Sequence, residues 1–475
     1  MHPQFDWQND GSKVPQVDPT VRSPFVRDLH EQQLHENARA GYLAFTGKAA
    51  KPIFMRSSLD LKNGVELDPS CPFERVIYHL MDEPVVQRMR HINQIACANW
   101  VYPDAVQSRR GHILGCAYLT AEVLSKLNQR AAPEIRGQIM EWGPVVVAFG
   151  LTHDLGHIAP GSHLAQKVWF PNEKDCHEEV SHHILEKDIA FRQKLEQIVG
   201  QGAADKLDRV TREDPSVPEW TWRLITGGGW NTDRGDWVPR DSQFCGVTYG
   251  YCDPKLIIKH LVITPDGQLA IGEGGVSTLE SFFRSRSHMY GDVYYHGTSR
   301  IGERMHELVG QRARELLASG QLHFCDDTME AVLSAPSVKN LSLENILNMT
   351  DMWWGYHIHK WSSEPDITLQ KLATSILLRE PFKKFPCDDY HRNLIGKLVE
   401  GSGLDKRYFY FELPPAPIRF KKDLDSAMPV QKRDGSLVPL TQHSRELGAL
   451  ATLESVQKDG LIAAPLDIWR DFRPA

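Results

Sequence analysis

The sequence has no apolar run of about 18 residues, so no segment is suited to crossing a bilayer as a helix. Met1 to Pro15 is polar and lacks the apolar stretch of a secretion signal. A surplus of positive charge is missing too. Lys and Arg number 54 against 61 Asp and Glu, a net charge of −7, which argues against nucleic-acid binding through overall basicity. None of the eight cysteines (71, 97, 116, 176, 245, 252, 325 and 387) stands in a CxxC pair, and their spacing is too wide for a small disulfide scaffold. Internal repeats and low-complexity linkers are also absent. These absences point to a cytoplasmic globular chain with reduced thiols and no membrane partner.

Histidine, by contrast, is plentiful. There are 21, and six of them (153, 157, 163, 177, 182 and 183) fall within 31 residues. Such a cluster invites metal or phosphate, although a polar helix face also carries some histidines at no functional cost. With 475 residues the chain has enough length for a large core.

The hydrophobic pattern predicts a mainly α protein: a helical core, a short β-hairpin and a smaller α+β C-terminal lobe. Residues 1–55 read as a polar and helical extension, with an amphipathic helix over Phe25 to Phe45. Residues 56–335 read as the main domain and 336–475 as the C-terminal lobe. Expected helices cover Phe73 to Leu80, Pro84 to Gln94, Gly111 to Leu127, Trp142 to His153, Val180 to Gln201 and Ala203 to Arg212. Gly227 to Gly229 marks a loop. Leu256 to Ile263 and Gln268 to Gly272 read as strands joined by a turn. Further helices are expected at Ser277 to Phe283, Thr298 to Ala318 and Thr328 to Leu333, and strands at Arg407 to Leu413 and Ile418 to Lys421.

The sharpest local string is Leu151-Thr152-His153-Asp154-Leu155-Gly156-His157. A histidine and a carboxylate side by side at the end of an apolar helix are costly to bury without a partner. Imidazole nitrogen with carboxylate oxygen suits Fe, Mn, Zn, Co or Ni. An adjacent pair cannot complete a coordination shell, so other elements must contribute. His112 shares a helical face with Cys116, Leu119, Val123 and Leu127 and is expected to point inward. A single inward histidine more often bonds a carbonyl. A histidine, a His-Asp pair about 40 residues on and a distal Asp together favour ligands.

These residues resemble the HD superfamily. Gln87 to Ile95, Arg109-Arg110-Gly111-His112 and His153-Asp154-Leu155-Gly156-His157 are similar, in order and spacing, to the catalytic domain of HD-domain deoxynucleoside triphosphate triphosphohydrolases, without their SAM domain. Asp233-Arg234-Gly235-Asp236-Trp237-Val238-Pro239-Arg240-Asp241 resembles the family's Asp-Lys-x-Asp-Tyr-x-x-Arg-Asp segment. Arg286 to His296 resembles its Arg-x-x-x-His-x-x-x-Tyr-Gln-His segment, with Tyr290 in place of the first His. The likeness runs from roughly residue 60 to 320.

The resemblance implies hydrolysis of deoxynucleoside triphosphates to deoxynucleoside and triphosphate. It implies one divalent metal on His112, His153, Asp154 and Asp233, with Mg accompanying the nucleotide phosphates. It implies Arg109, His163, Arg234 and Arg286 around the triphosphate, Gln94 and Asp241 at the sugar 3′-hydroxyl, and Ile95 and Tyr294 where a 2′-hydroxyl would sit. His177 is expected as general acid and His157 as its partner. A nucleotide effector at Asp82 and Arg90 and a homo-oligomer (dimer, tetramer or hexamer) are also implied.

The sequence departs from the family in places that bear on catalysis. His157-Ile158-Ala159-Pro160-Gly161-Ser162-His163 is one residue longer than the family's segment. Gln166 stands where the family orients its acid with Asp, so Glu173, Asp175 or Glu178 is expected to assist. Trp237 replaces a phosphate-contacting Tyr, and its indole N–H donates but cannot accept. Tyr295 replaces a base-contacting Gln. The competing expectations are an HD-type nucleotidase or phosphodiesterase on another nucleotide, and a nucleotide-binding sensor with weakened catalysis.

Overall fold

The computed structural model describes residues 51–57, 60–161, 164–170, 177–418, 420–452 and 456–470. The expected helix over Phe25 to Phe45 lies outside them. Residues 52–475 cluster as one unit, and it is mainly helical. Among the described residues no helix is long and apolar enough to cross a membrane, and the seven described cysteines are all free thiols.

A hairpin of β1 (Ile53–Ser57) and β2 (Asp60–Leu67) leads to α1 (Glu74–Leu80) and α2 (Pro84–Arg88). Pro84 opens α2 at a position whose N–H would have no helical partner. The pattern predicts this helix to Gln94, but it stops at Arg88 and closes with one tight turn to His91. Backbone bonding elsewhere is the reason. Arg109 N donates to Ile92 O (2.8 Å), Gln94 N to Gln107 O (3.0 Å) and Asn93 N to the Asp351 carboxylate (2.6 Å). The Gln94 segment is thereby fixed beside the start of the next helix.

That helix, α3 (Arg109–Arg130), packs along α4 (Pro133–Thr152) to form the centre of the core. Ile113, Cys116, Val123 and Leu124 meet Ile139, Val145, Val146 and Leu151, all fully buried. Each such aliphatic side chain contributes roughly 1.5–3 kcal/mol of burial. Gly150 permits the close approach, since a Cβ there would lie 3.2 Å from the Ala117 Cα. The apolar pattern predicts α4 only from Trp142. The helix instead begins at Pro133, again a first-turn proline, and runs through Pro144.

Next come α5 (Leu164–Trp169), α6 (His177–Lys187) and α7 (Ile189–Val199). The last two replace one expected helix over Val180 to Gln201. Asp188 breaks it by accepting the Phe191 N–H at 3.0 Å as an N-cap. α8 (Thr232–Phe244) is capped by Asn231, which accepts from Arg234 N. The strand expected from Leu256 is instead α9 (Pro254–His260), started by an Asp253 cap and Pro254. Only β3 (Leu261–Ile263) remains extended, paired with β4 (Leu269–Gly272). α10 (Val276–His288) ends in a π turn over Met289–Tyr294, followed by α11 (Gly297–Ala318) and later α12 (Asp351–Trp361).

In the C-terminal region β5 (Lys383–Pro386) and β6 (Phe411–Leu413) flank a later strand. The strand expected from Arg407 begins only at Phe411, because Lys406–Phe409 form a helical turn. The strand expected at Ile418 to Lys421 lies earlier, at Ala416–Ile418, and α13 (Lys421–Asp425) begins at Lys421. β7 (Val430–Gln431) then pairs parallel with β4 and antiparallel with β8 (Leu437–Val438), and β9 (Leu461–Ala464) sits between β5 and β6. The β4–β7 pairing ties this region to the main helices, placing α13 against the loop before α8.

Candidate metal centre

Three helices supply the cluster. His112 lies one turn into α3, His153 and Asp154 follow the last turn of α4, and Asp233 lies in the first turn of α8. His112 Nε2 is 3.0 Å from Asp233 Oδ1 and 3.6 Å from Asp154 Oδ2. His153 Nε2 is 3.3 Å from the same Asp233 oxygen and 3.5 Å from Asp154 Oδ1. One ligand atom each from His112, His153 and Asp154 fall within 4.8 Å of one another. The side chains of His112, His153 and Asp154 are at most 9% exposed, whereas Asp233 keeps 25% and leaves a side open to solvent.

The far nitrogens fix the tautomers. His112 Nδ1 lies 2.8 Å from Asp236 Oδ2, and His153 Nδ1 lies 3.0 Å from the Gly150 carbonyl. A carbonyl only accepts, so the proton of His153 sits on Nδ1 and its Nε2 presents a lone pair. Both Nε2 atoms are buried and make no hydrogen bond. Two buried, unbonded imidazole nitrogens converging on two carboxylates are costly unless a cation lies among them.

Electrostatics point the same way. Burial alone would lower the His112 pKa, yet the carboxylates of Asp233, Asp236 and Asp154 around the ring raise it to about 10. The cluster thus seeks positive charge, and a divalent cation supplies it without a proton. Burial opposes ionisation of Asp154, but His153, Arg109 and His157 hold its carboxyl well below the usual range. Nitrogen and oxygen donors of this kind fit a transition metal.

Glycines allow the surrounding groups to close in. A Cβ at Gly115 would lie 2.0 Å from Asp236 Oδ1, so only glycine lets Asp236 reach His112 across α3. Asp236 is held in turn by Arg240, whose Nε and Nη2 donate to it at 2.9 and 2.8 Å. A Cβ at Gly156 would meet the His177 carbonyl at 1.8 Å. Ser181 completes that junction, accepting from Gly156 N (2.7 Å) and donating to His153 O (2.9 Å). The His157 and His177 rings consequently stack, centroids 4.3 Å apart and 15° from parallel, and His157 Nε2 is 3.4 Å from Asp154 Oδ1. Burial and the nearby Arg109 push the His157 imidazole well below the usual histidine range.

The other expected residues divide into two groups. Arg109 joins the cluster directly, donating to Asp154 and to the Gln94 carbonyl (3.3 Å). Gln94 Oε1 is buried without a partner. Asp241 accepts from Gln107 (2.9 Å) and from the Tyr294 hydroxyl (3.0 Å), and burial raises its pKa to about 6. Ile95 is half-buried, and Trp237 lies edge-on to Tyr294 with centroids 5.5 Å apart. Tyr290 lies edge-on to both Tyr294 and Tyr295.

Arg234 and Arg286 form the second group, and they meet at Asp423 rather than at the cluster. Arg234 Nη2 lies 3.3 Å from one Asp423 oxygen and Arg286 Nη1 2.6 Å from the other. His163, Glu173 and Asp175 lie outside the described residues. Gln166 is in α5, and Glu178 lies exposed in the first turn of α6. Asp82 and Arg90 are exposed and both bond Gln87, at 2.8 and 3.5 Å.

Residues 252–341 match the model of the HD associated region. The protein YwfO of Bacillus subtilis is 26% identical over 316 residues, 65% of this chain and 68% of that protein. The human deoxynucleoside triphosphate triphosphohydrolase SAMHD1 is 28% identical over 273 residues, 51% of this chain but only 42% of its own length. The crystal structure of a phosphohydrolase from Bacteroides thetaiotaomicron superimposes with a TM-score of 0.72 at 23% identity, covering 87% of this chain and all of that one. These likenesses support the HD superfamily.

Some further site residues carry a local mark in the sequence and others do not. Asp236 was discoverable, since it follows Asp233 by three positions and shares its helical face. Arg88 and Asp351 were not. Buried Arg88 donates to the carbonyls of Leu155 (3.1 Å), His157 (3.0 Å) and Leu347 (3.2 Å). Asp351 accepts from Asn93 N and, at 3.0 Å, from Gly161 N, and burial raises its pKa to about 6. Together they fasten the His-Asp turn and the Gln94 segment to the residues just before α12.

Proposed function

We propose that this chain hydrolyses deoxynucleoside triphosphates to deoxynucleoside and triphosphate at the His112–His153–Asp154–Asp233 cluster. The observation that carries the reading is the pair of buried, unbonded Nε2 atoms facing two carboxylates, with Arg109 and the stacked histidines beside them. A divalent metal such as Fe, Mn, Zn, Co or Ni, once bound, supplies Lewis acidity to a phosphoryl oxygen. Arg109, bonded through its Nη atoms to Asp154 and Gln94 and with its Nε unpartnered, supplies fixed positive charge beside the phosphate that reacts. Water adds to the α-phosphorus, the bond to O5′ breaks, and the 5′ oxygen takes a proton from His177, which His157 orients by stacking. Gln94, with its unpartnered Oε1, and Asp241 receive the 3′-hydroxyl. Ile95 and Tyr294 leave a 2′-hydroxyl without partners, at a cost of about 1–3 kcal/mol. Likeness to SAMHD1, named for this activity, supports the substrate class.

The reading extends to Mg with the nucleotide phosphates, a cytoplasmic homo-oligomer, a nucleotide effector at Asp82 and Arg90, and a catalytic domain over 56–335.

A second reading has its own observation. Arg234 and Arg286 pair with Asp423, which leaves Arg109 as the cation bonded into the cluster and suits a phosphodiesterase or monophosphatase on a less charged nucleotide. Product analysis separates the two. Metal-loaded protein is incubated with each dNTP and rNTP, singly and in pairs, in 18O-water. Nucleoside with 18O in the triphosphate supports the first reading; stepwise release of phosphate supports the second and overturns the first. Binding without turnover points to a sensor.

A further inference from the structure

Asp423 stands in the place where an anionic ligand of Arg234 and Arg286 would bind. It comes from α13, a segment far along the chain and held on the site by contacts of its own. The Phe420 ring is buried against Phe283 and Tyr290, and the Arg286 guanidinium lies 5.2 Å over it. Arg223 Nη1 donates to Ser426 O at 2.8 Å, and Gly228 bridges to Ala427. A Cβ at Gly228 would lie 2.0 Å from Ser426 Oγ, so the Gly227 to Gly229 loop is shaped to admit this segment.

Neither arginine depends on Asp423 for its position. Arg234 Nη1 donates to the Gly227 and Gly229 carbonyls at 3.0 and 2.8 Å, leaving Nη2 for Asp423. Arg286 lies over both the Tyr290 and Phe420 rings, each centroid 5.2 Å from its guanidinium carbon. Asp423 gives each arginine one oxygen only, and Arg286, although it also bonds the Tyr290 side chain, keeps its Nε buried with no hydrogen-bond partner. A guanidinium prefers a two-point contact with its acceptor. One carboxylate therefore underfills a site built for more oxygens and more charge.

We propose that Asp423 is an internal gate on an anion subsite made by Arg234 and Arg286, one that a linear polyphosphate displaces and a single phosphate does not. It makes Asp423 a specificity-determining residue, setting how much negative charge a substrate must carry. The inference rests on the deoxynucleoside triphosphate reading above, extended here to these two arginines as further holders of the polyphosphate chain.

The test is calorimetric titration of the full chain with inorganic triphosphate and with orthophosphate. Wild type, Asp423→Asn and Asp425→Asn are compared, Asp425 being an exposed neighbour of the same charge. If the gate is closed about nine-tenths of the time, Asp423→Asn binds triphosphate about tenfold more tightly. Asp425→Asn should stay within about twofold. Equal or weaker binding by Asp423→Asn, with wild-type binding intact, overturns the gate while leaving the arginines' role standing. No binding to either protein overturns both. Asp423→Ser repeats the test should Asp423→Asn melt early; early melting of both without any gain in affinity also overturns the proposal.

Discussion

The two nitrogens of His112 face opposite demands, and the residues around each explain why the cluster needs a cation. Nδ1 is held by Asp236, itself gripped by Arg240, while Nε2 is left among Asp154, Asp233 and His153. Removing the outer partner should loosen the ring without removing a ligand. Asp236→Asn is expected to weaken metal affinity about 10- to 100-fold, measured by competition with a chromogenic chelator. Unchanged affinity would mean that Asp236 serves Arg240 alone. Asp351 gives a second prediction at this scale. Its folded pKa is about 6, above the usual 3.8, so between these values the folded state binds more protons than the unfolded one. Stability therefore falls as pH rises from about 4 through 6, by at most about 3 kcal/mol. Asp351→Asn should show a smaller fall, with Asp241 keeping its own share, checked by urea denaturation at pH 4 and pH 7. A parallel pH dependence in both proteins would contradict the assignment.

At the scale of elements, the site is made by where helices stop. α4 must end at Thr152 to release the His-Asp turn, and α2 must end at Arg88 so that Gln94 pairs with Gln107. Gly156 then sets how closely α6 approaches. Gly156→Ala is expected to push α6 away from its 1.8 Å collision and cost about 1–3 kcal/mol, read by thermal denaturation. It should separate the His157 and His177 rings while metal binding persists, and loss of the metal as well would contradict that division. Periodicity and adjacency made α3, His112 and the His153-Asp154 pair legible in the sequence. Boundaries set by long-range bonds were not. Nothing local announces that Asn93 N will bond Asp351, whereas Asp253 and Pro254 are a local helix start hidden by the strand-like apolar run that follows them. Asp423 was invisible for the same reason, since its partners lie 137 and 189 positions away.

Over the whole molecule, distant segments converge on one His-Asp turn. Arg88 reaches it from the N-terminal side and anchors it to Leu347, while the C-terminal region reaches the adjoining arginines through α13. Arg88→Met would leave several buried carbonyls without their donor and should destabilise the chain by on the order of 3 kcal/mol. The account as a whole stands on the metal. The direct measurement is titration of metal-stripped full-length protein with Co(II), following the visible absorption of the bound ion and confirming stoichiometry by mass spectrometry. One ion per chain is expected, with the bands of mixed nitrogen and oxygen ligation, and Asp154→Ala should lose both the ion and phosphate hydrolysis. Wild-type protein that binds no ion, or Asp154→Ala protein that still hydrolyses nucleotide, would contradict it.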